Sequence, residues 1–336
     1  MRSLLSVLFA TMALLTTRAA LSEPSTLVIY TYDSFTSEYG PGPKIKDAFE
    51  TQCGGCSIEF VALDSSAGIL NRVRLEGASS KADIVLGLDN NLMAEAQASG
   101  LLESAGTDLS ALDLPIEWKS DLFVPYDYGY FAFVYDTEKL ENPPKSLKEL
   151  VDAPDSLKII VQDPRTSTPG LGLLLWVKSV YGDQATQAWI KLRKKIVSVT
   201  KGWSEAYFSL FMNGEAPMVL SYNTSPGYHM AIDKTERYQA AGFSEGHYLQ
   251  IELAALLKNS KNKELGRQFL QFILSEDFQE TLPLTNVMYP VIDIGEQLPT
   301  EFDTLIKPAS TLQFSPMEIR ENKKAWIDEW LDVMSD

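Results

Sequence analysis

FVPYDYGYFAFVYD, Phe123–Asp136, is extended and aromatic in character and has no helical period. It stands between two stretches that alternate apolar strands with amphipathic helices, and a segment of this kind carries a chain from one lobe into the next. Upstream, Leu27–Tyr32, Ile58–Leu63 and Ala82–Leu88 are rich in β-branched and aromatic residues, which predicts three strands. Between them Ile45, Ala48 and Phe49 mark one face of a helix begun near Pro43. Ile69, Leu70 and Val73 mark the next helix, stopped at Gly77, and Leu92–Ser99 is a further short one. Downstream, Asn142-Pro143-Pro144 breaks structure and Ser146–Val151 resumes as a helix. Ile159–Val161 and Met218–Tyr222 are predicted strands. Helices are predicted from Pro169, with Thr168 as cap, through Trp176, over Gln184–Lys195 and over Ser204–Asn213. His247–Leu257 is apolar and returns the chain to the first lobe, and Ser315-Pro316 opens a last helix bearing Trp326 and Trp330. This order predicts an α/β protein of two lobes with mostly parallel sheets.

The start of the chain is of another kind. Met1-Arg2, the apolar run Leu4–Leu15, and Arg18 followed by small residues have the layout of a cleavable export signal, with cuts expected after Ala19 or Ser22. The run is about 12 residues, short of the roughly 20 that span a bilayer. Residues 1–22 are therefore read as a signal peptide, residues 23–128 and 250–336 as the first lobe, and residues 129–249 as the second lobe with its crossing segments. A remainder of about 315 residues is long for a single core, which also favours two lobes.

Formal charge is −16, and loss of Arg2 and Arg18 with the signal makes it −18. Such a surface argues against nucleic acid as a partner and favours solubility and cationic ligands. The two cysteines, Cys53 and Cys56, are separated by two glycines and follow a helical stretch, the setting of a small local disulfide in an oxidising compartment. His229 and His247 are the only histidines and have no zinc-ligand spacing, and neither a Gly-x-Ser-x-Gly elbow nor a phosphate-binding Walker loop occurs. No catalytic residue, metal ligand or cofactor is expected, and binding is favoured over catalysis.

In doubly wound folds ligands sit beyond the carboxyl ends of strands, which points to loops near Tyr32, Asp64, Ser167 and Tyr222. Arg165-Thr166-Ser167-Thr168-Pro169-Gly170 puts hydroxyls and unpaired N–H groups at a helix start, a setting that attracts anions. Gly170 and Gly172 would let either a ligand or a packed neighbour approach the backbone, and both readings stand. Tyr32, Trp203, Tyr222 and Tyr228 offer ring faces for a cation or a flat ring.

Several runs resemble a known family. YTYDSF (Tyr30–Phe35), GPGP (Gly40–Pro43), ADIVLGLDNN (Ala82–Asn91), QDPRTSTPGLGLLLW (Gln162–Trp176), TKGWSEAY (Thr200–Tyr207), LSYNTSPGYH (Leu220–His229) and MYPV (Met288–Val291) are similar to the periplasmic thiamine-binding proteins of bacterial ABC transporters. The resemblance covers nearly the whole chain after the signal. It implies a two-lobed type II periplasmic-binding-protein fold with the ligand, thiamine or its mono- or diphosphate, in the interlobe cleft. It also implies a periplasmic location, a monomer, and delivery to a permease subunit in the inner membrane. Carried onto matching positions, Ser167 and Thr168 contact the phosphate end, Trp203 and Tyr222-Asn223-Thr224-Ser225 line the cleft, and Tyr32 and Tyr228 supply ring contacts. Two departures stand out. Asp64-Ser65-Ser66 occupies a loop where relatives carry an acid followed by glycine, and Val287 precedes MYPV where relatives carry an aromatic, so weaker stacking is expected. Rival ligands are polyamines or ferric iron, though no Tyr-Tyr pair occurs, and the rival enzyme is a thiaminase I-like protein, which needs a free cysteine in the cleft.

Overall fold

The computed structural model describes residues 25–335. The predicted signal peptide lies outside the described residues. Within them the chain runs β1 (Thr26–Tyr32), α1 (Asp33–Thr36), α2 (Gly42–Cys53), β2 (Ser57–Leu63), α3 (Ser66–Glu76), β3 (Ile84–Asp89), α4 (Met93–Ala98), β4 (Leu102–Glu103) and β5 (Val124–Asp136). It continues through α5 (Leu147–Asp152), β6 (Ile159–Gln162), α6 (Thr168–Tyr181), α7 (Ala185–Arg193), β7 (Ile196–Thr200), β8 (Met218–Tyr222), α8 (Ser225–Tyr228), β9 (Tyr238–Ala240) and β10 (His247–Leu257). The last elements are α9 (Lys263–Phe272), α10 (Glu276–Gln279), α11 (Leu282–Thr285), β11 (Tyr289–Pro290), β12 (Thr311–Leu312) and α12 (Pro316–Ser335).

Two sheets share the crossing strands. The first has the order β2-β1-β3-β10-β5, with β1, β2 and β3 parallel and β10 antiparallel to both of its neighbours. The second has the order β7-β6-β8-β5-β9, with β6, β7 and β8 parallel and β5 antiparallel to β8 and β9. Each of these orders therefore contains one strand that runs against the rest, β10 in the first and β5 in the second. The change of sheet occurs inside β5, which pairs with β10 up to Tyr130 and with β8 from Phe131 onward. That double duty explains the aromatic, uninterrupted character of the 123–136 stretch: it is buried against two cores in succession.

Leu27, Ile29, Phe35, Phe49, Leu86, Phe269 and Phe278 belong to the core under the first sheet. Val134, Ile160, Tyr207 and Val219 belong to the corresponding core of the second. Cys53 ends α2, Gly54 caps it with a left-handed φ of 62°, and the Cys53 and Cys56 sulfurs are bonded.

Three details differ from the sequence reading. The 204–213 helix is a π-helix over Glu205–Phe211. The cap of α6 is Ser167, which moves Thr168 into the first turn. The third is that the final segment, read from sequence with the first lobe, touches elements of both halves. Phe302 is buried with Tyr289 and Gly227, Ile306 accepts a hydrogen bond from Asn223, and α12 packs mainly on α7. Glu329 holds that contact through Lys178 and Thr186, while Lys323 of the same helix pairs with Glu95 of α4. A long amphipathic helix goes where apolar surface awaits its Ile319, Trp330 and Val333, and sequence order does not reveal that location.

Candidate functional site

Between the sheets lies a cleft of about 760 Å³. The loops at the carboxyl ends of β1, β2, β6 and β8 open into it, as parallel α/β topology requires. Tyr32, Asp64, Ser65, Ser66, Ser167, Thr168, Trp203, Tyr222, Ser225 and Tyr228 all line it. Asn223 and Thr224, expected in the wall, sit behind it. Asn223 is spent on backbone, accepting from Tyr130 N at 3.0 Å and donating to Ile306 O at 3.1 Å, and Thr224 is fully buried beside Met288.

Two helix starts face each other across the cleft. Ser65 caps α3, its Oγ accepting from Gly68 N, whereas the Ser167 hydroxyl makes no capping bond to α6. Ser66 Oγ and Thr168 Oγ1, one from each lobe, lie 3.0 Å apart. Asp64 pairs with Lys201 at 2.5 Å, again from opposite sides, and the Tyr39 and Phe208 rings meet at the lip with centroids 6.4 Å apart. The halves are thus closed on one another. The two glycines of α6 serve packing. A Cβ at Gly170 would lie 2.6 Å from the Asp163 carbonyl, and one at Gly172 would lie 2.0 Å from the Phe131 ring. Of the two open readings for these glycines, close approach of the protein to itself is the one realised.

Aromatic faces supply the walls. Trp203 stacks on Tyr207 at 5.0 Å, and its Nε1 donates to Ser221 Oγ at 2.8 Å, which fixes the indole plane. Tyr32 lies flat on β3 because position 87 is glycine. Its φ is +103°, and a Cβ there would come within 2.4 Å of the Tyr32 ring. Val287 also lines the cleft, with a φ of 56° that β-branched residues seldom adopt.

The floor was not foreseen from sequence. Glu252 of β10 lines the cleft and stands directly opposite Asp127 of β5 in the strand register. Both are buried, as is Asp89 at the end of β3. Glu252 Oε2 accepts from Tyr32 OH at 2.6 Å and Tyr126 OH at 2.5 Å, and Oε1 accepts from Gln250 at 3.1 Å. Gln250 in turn accepts from Tyr222 OH at 2.8 Å. Burial raises Glu252 to about 6 despite those donors, and it raises Asp89 to about 6 as well. Asp127 is pushed well above the carboxylate range by burial and by the Glu252 charge. The sequence signal was an acid inside an otherwise apolar, extended run, present in both VPYDYGYFAF and LQIELAAL.

Histidine chemistry at the site is confined to His229, whose Nε2 meets Tyr207 OH at 2.9 Å and whose Nδ1 meets Asp233 at 2.7 Å. Burial lowers it against the pull of Asp233. Among the described residues no group of three or more His, Cys, Asp or Glu is placed to hold a metal ion. The Cys53–Cys56 pair lies outside the cleft, so no thiol faces it.

Comparison with known proteins agrees with this architecture. Residues 32–280 match the family model of bacterial extracellular solute-binding proteins. A thiamine-binding periplasmic protein of Escherichia coli is 54% identical over 322 residues, covering 96% of this chain and 97% of the relative. One from Brucella suis is 52% identical over 335 residues and 100% of both chains. A solved structure described as a periplasmic thiamin binding protein superposes with a TM-score of 0.90 at 54% identity, over 93% of this chain and 97% of that one. Iron-bound HitA from Pseudomonas aeruginosa shares the fold with a TM-score of 0.76 at 21% identity, over 92% of this chain and 99% of that one. The chain belongs to the family of bacterial extracellular solute-binding proteins, in the branch whose named members are thiamine-binding periplasmic proteins.

Proposed function

We propose that this chain is the periplasmic solute-binding component of an ABC importer, which captures thiamine and its mono- and diphosphate and delivers them to the inner-membrane permease. The observation that carries the reading is the content of one cleft, which brings together ring faces, the buried Glu252 carboxylate and an uncapped helix start. Thiamine has the complementary layout: a flat aminopyrimidine, a cationic thiazolium, and a tail that bears phosphate in its esters. Trp203, Tyr222, Tyr228 and Tyr32 would hold the rings. Ser167, Thr168 and the first N–H groups of α6 would take the phosphate, with Ser65 and Ser66 facing them. Full-length relatives named for thiamine support the same ligand. The thiaminase-like alternative lacks its nucleophile, because both cysteines are bonded and lie away from the cleft.

Calorimetric titration of ligand-stripped protein tests this. Thiamine and both phosphate esters are expected to bind, and excess spermidine is expected not to displace them. Absence of thiamine binding below about millimolar concentration, where binding free energy is only about −4 kcal/mol, would overturn the assignment.

A further inference from the structure

Glu252 and Asp127 are held side by side where the two sheets join. One amide serves both: Asn286 Nδ2 donates to Asp127 Oδ2 at 2.5 Å and to Glu252 Oε2 at 3.3 Å. The donors are unequally shared. Glu252 receives two phenols, an amide from Gln250 and the Asn286 contact, whereas Asp127 Oδ1 has no partner and is buried. The titratable groups that face Glu252 are Tyr32 from β1, Asp89 from β3, Tyr126 and Asp127 from β5, and Tyr222 from β8; all are acids or phenols. Among the described residues no lysine or arginine forms an ion pair with Glu252 or Asp127, whereas Lys323, paired with Glu95, lowers Asp89 through its charge.

Two buried carboxylates this close cannot both be ionised without a cation beside them. The donor pattern assigns the charge to Glu252 and the proton to Asp127. Resting on the ligand reading above, we propose that Glu252 is the fixed anionic partner of the bound cation and that Asp127 releases its proton to solvent when the cation enters. Charge at the floor then changes by one unit on the protein as one positive charge arrives, so Glu252 and Asp127 are never both ionised without a cation beside them. The arrangement also discriminates. A neutral ring of the same shape displaces no proton and meets a carboxylate it cannot neutralise.

The sign follows from linkage. A proton held in the empty cleft and lost in the filled one makes binding weaken as pH falls, by at most about tenfold per pH unit for one proton. The test uses unphosphorylated thiamine, which has no phosphate to titrate, from about pH 6 to about pH 8, above the range in which its aminopyrimidine takes up a proton. Calorimetry in two buffers of different ionisation enthalpy counts the protons directly, on the unaltered chain. Release of between about half and one proton near neutral pH is expected. Asp127→Asn should abolish the release and flatten the pH profile. Glu252→Gln should weaken thiamine by about thirtyfold or more, with cooperative unfolding retained. Thiamine binding with no proton released and no pH slope would overturn this inference while leaving the ligand assignment intact. Failure of the unaltered chain to bind thiamine at all would sink the assignment and the inference together.

Discussion

In the proposed mode of binding, Trp203 is the residue on which ring recognition most depends. It enters the cleft half-buried, braced by Tyr207 beneath and by the Ser221 hydroxyl at its Nε1, so its face is oriented before any ligand arrives. Replacing it removes a stacking surface and leaves the core of the second lobe otherwise complete. Trp203→Ala should weaken thiamine by roughly two- to thirtyfold, the range that about 0.5–2 kcal/mol per ring contact implies, with little change in the unfolding temperature. Unchanged affinity in a fluorescence or calorimetric titration would remove Trp203 from the site. Local sequence was enough to nominate it: a Gly202 before it and Ser204-Glu205 after it mark a helix start, and the ring there packs only its inner face on the core. No such signal existed for Asn286, because an asparagine in a short loop does not announce that it bridges two carboxylates.

Among the elements, α6 shows how packing and ligand access compete for the same glycines. Its first turn faces the cleft, but Gly170 is closed by the Asp163 carbonyl and Gly172 by the Phe131 ring of β5. The helix sits that close to the crossing strand because neither position has a side chain. Gly172→Ala should therefore destabilise the protein by about 1–3 kcal/mol, the usual cost of overpacking a filled interior, seen as a shifted denaturant midpoint. Thiamine affinity of the folded fraction should stay near that of the unaltered chain. The reverse outcome, normal stability with lost binding, would restore ligand approach as the purpose of these glycines. The Cys53–Cys56 disulfide is a smaller matter, because the loop it closes holds only two residues between the cysteines.

For the whole molecule the question is what keeps the lobes shut. Among the described residues the cross-cleft contacts near the rim are modest: the Thr168 hydroxyl meets Ser66 and, at 3.4 Å, donates to Asp89, Asp64 pairs with Lys201, and Tyr39 meets Phe208 edge to face. The ion pair is largely exposed, at 67% and 72% of the two side chains, and exposed pairs contribute about 0–1 kcal/mol. Lys201→Ala should accordingly change thiamine affinity less than about fivefold, with the effect in the dissociation rate. A hundredfold loss by stopped-flow measurement would instead make that pair the latch. Weak rim contacts suit a carrier that must reopen, since closure would then draw on the ligand, which in the proposed mode touches both halves.

What the sequence by itself determined was whatever depends on a few neighbouring residues. The alternation of strands and helices, the start of α6 to within one residue, the hydroxyl loop at Asp64-Ser65-Ser66 and the aromatics at strand ends were all legible, because propensity and periodicity act over one or two turns. Tertiary structure alone decided that α12 packs on α7 and α4, that Ser66 meets Thr168, that Gly172 receives Phe131, and that Asn223 turns away from the cleft. It also decided the acidic floor, where Asp127 and Glu252 are 125 positions apart in the chain yet opposite in register. Electrostatic character at such a point is summed over groups brought by several strands. Whether a carboxylate is left without a cation depends on every neighbour in space, and only the folded chain specifies those neighbours.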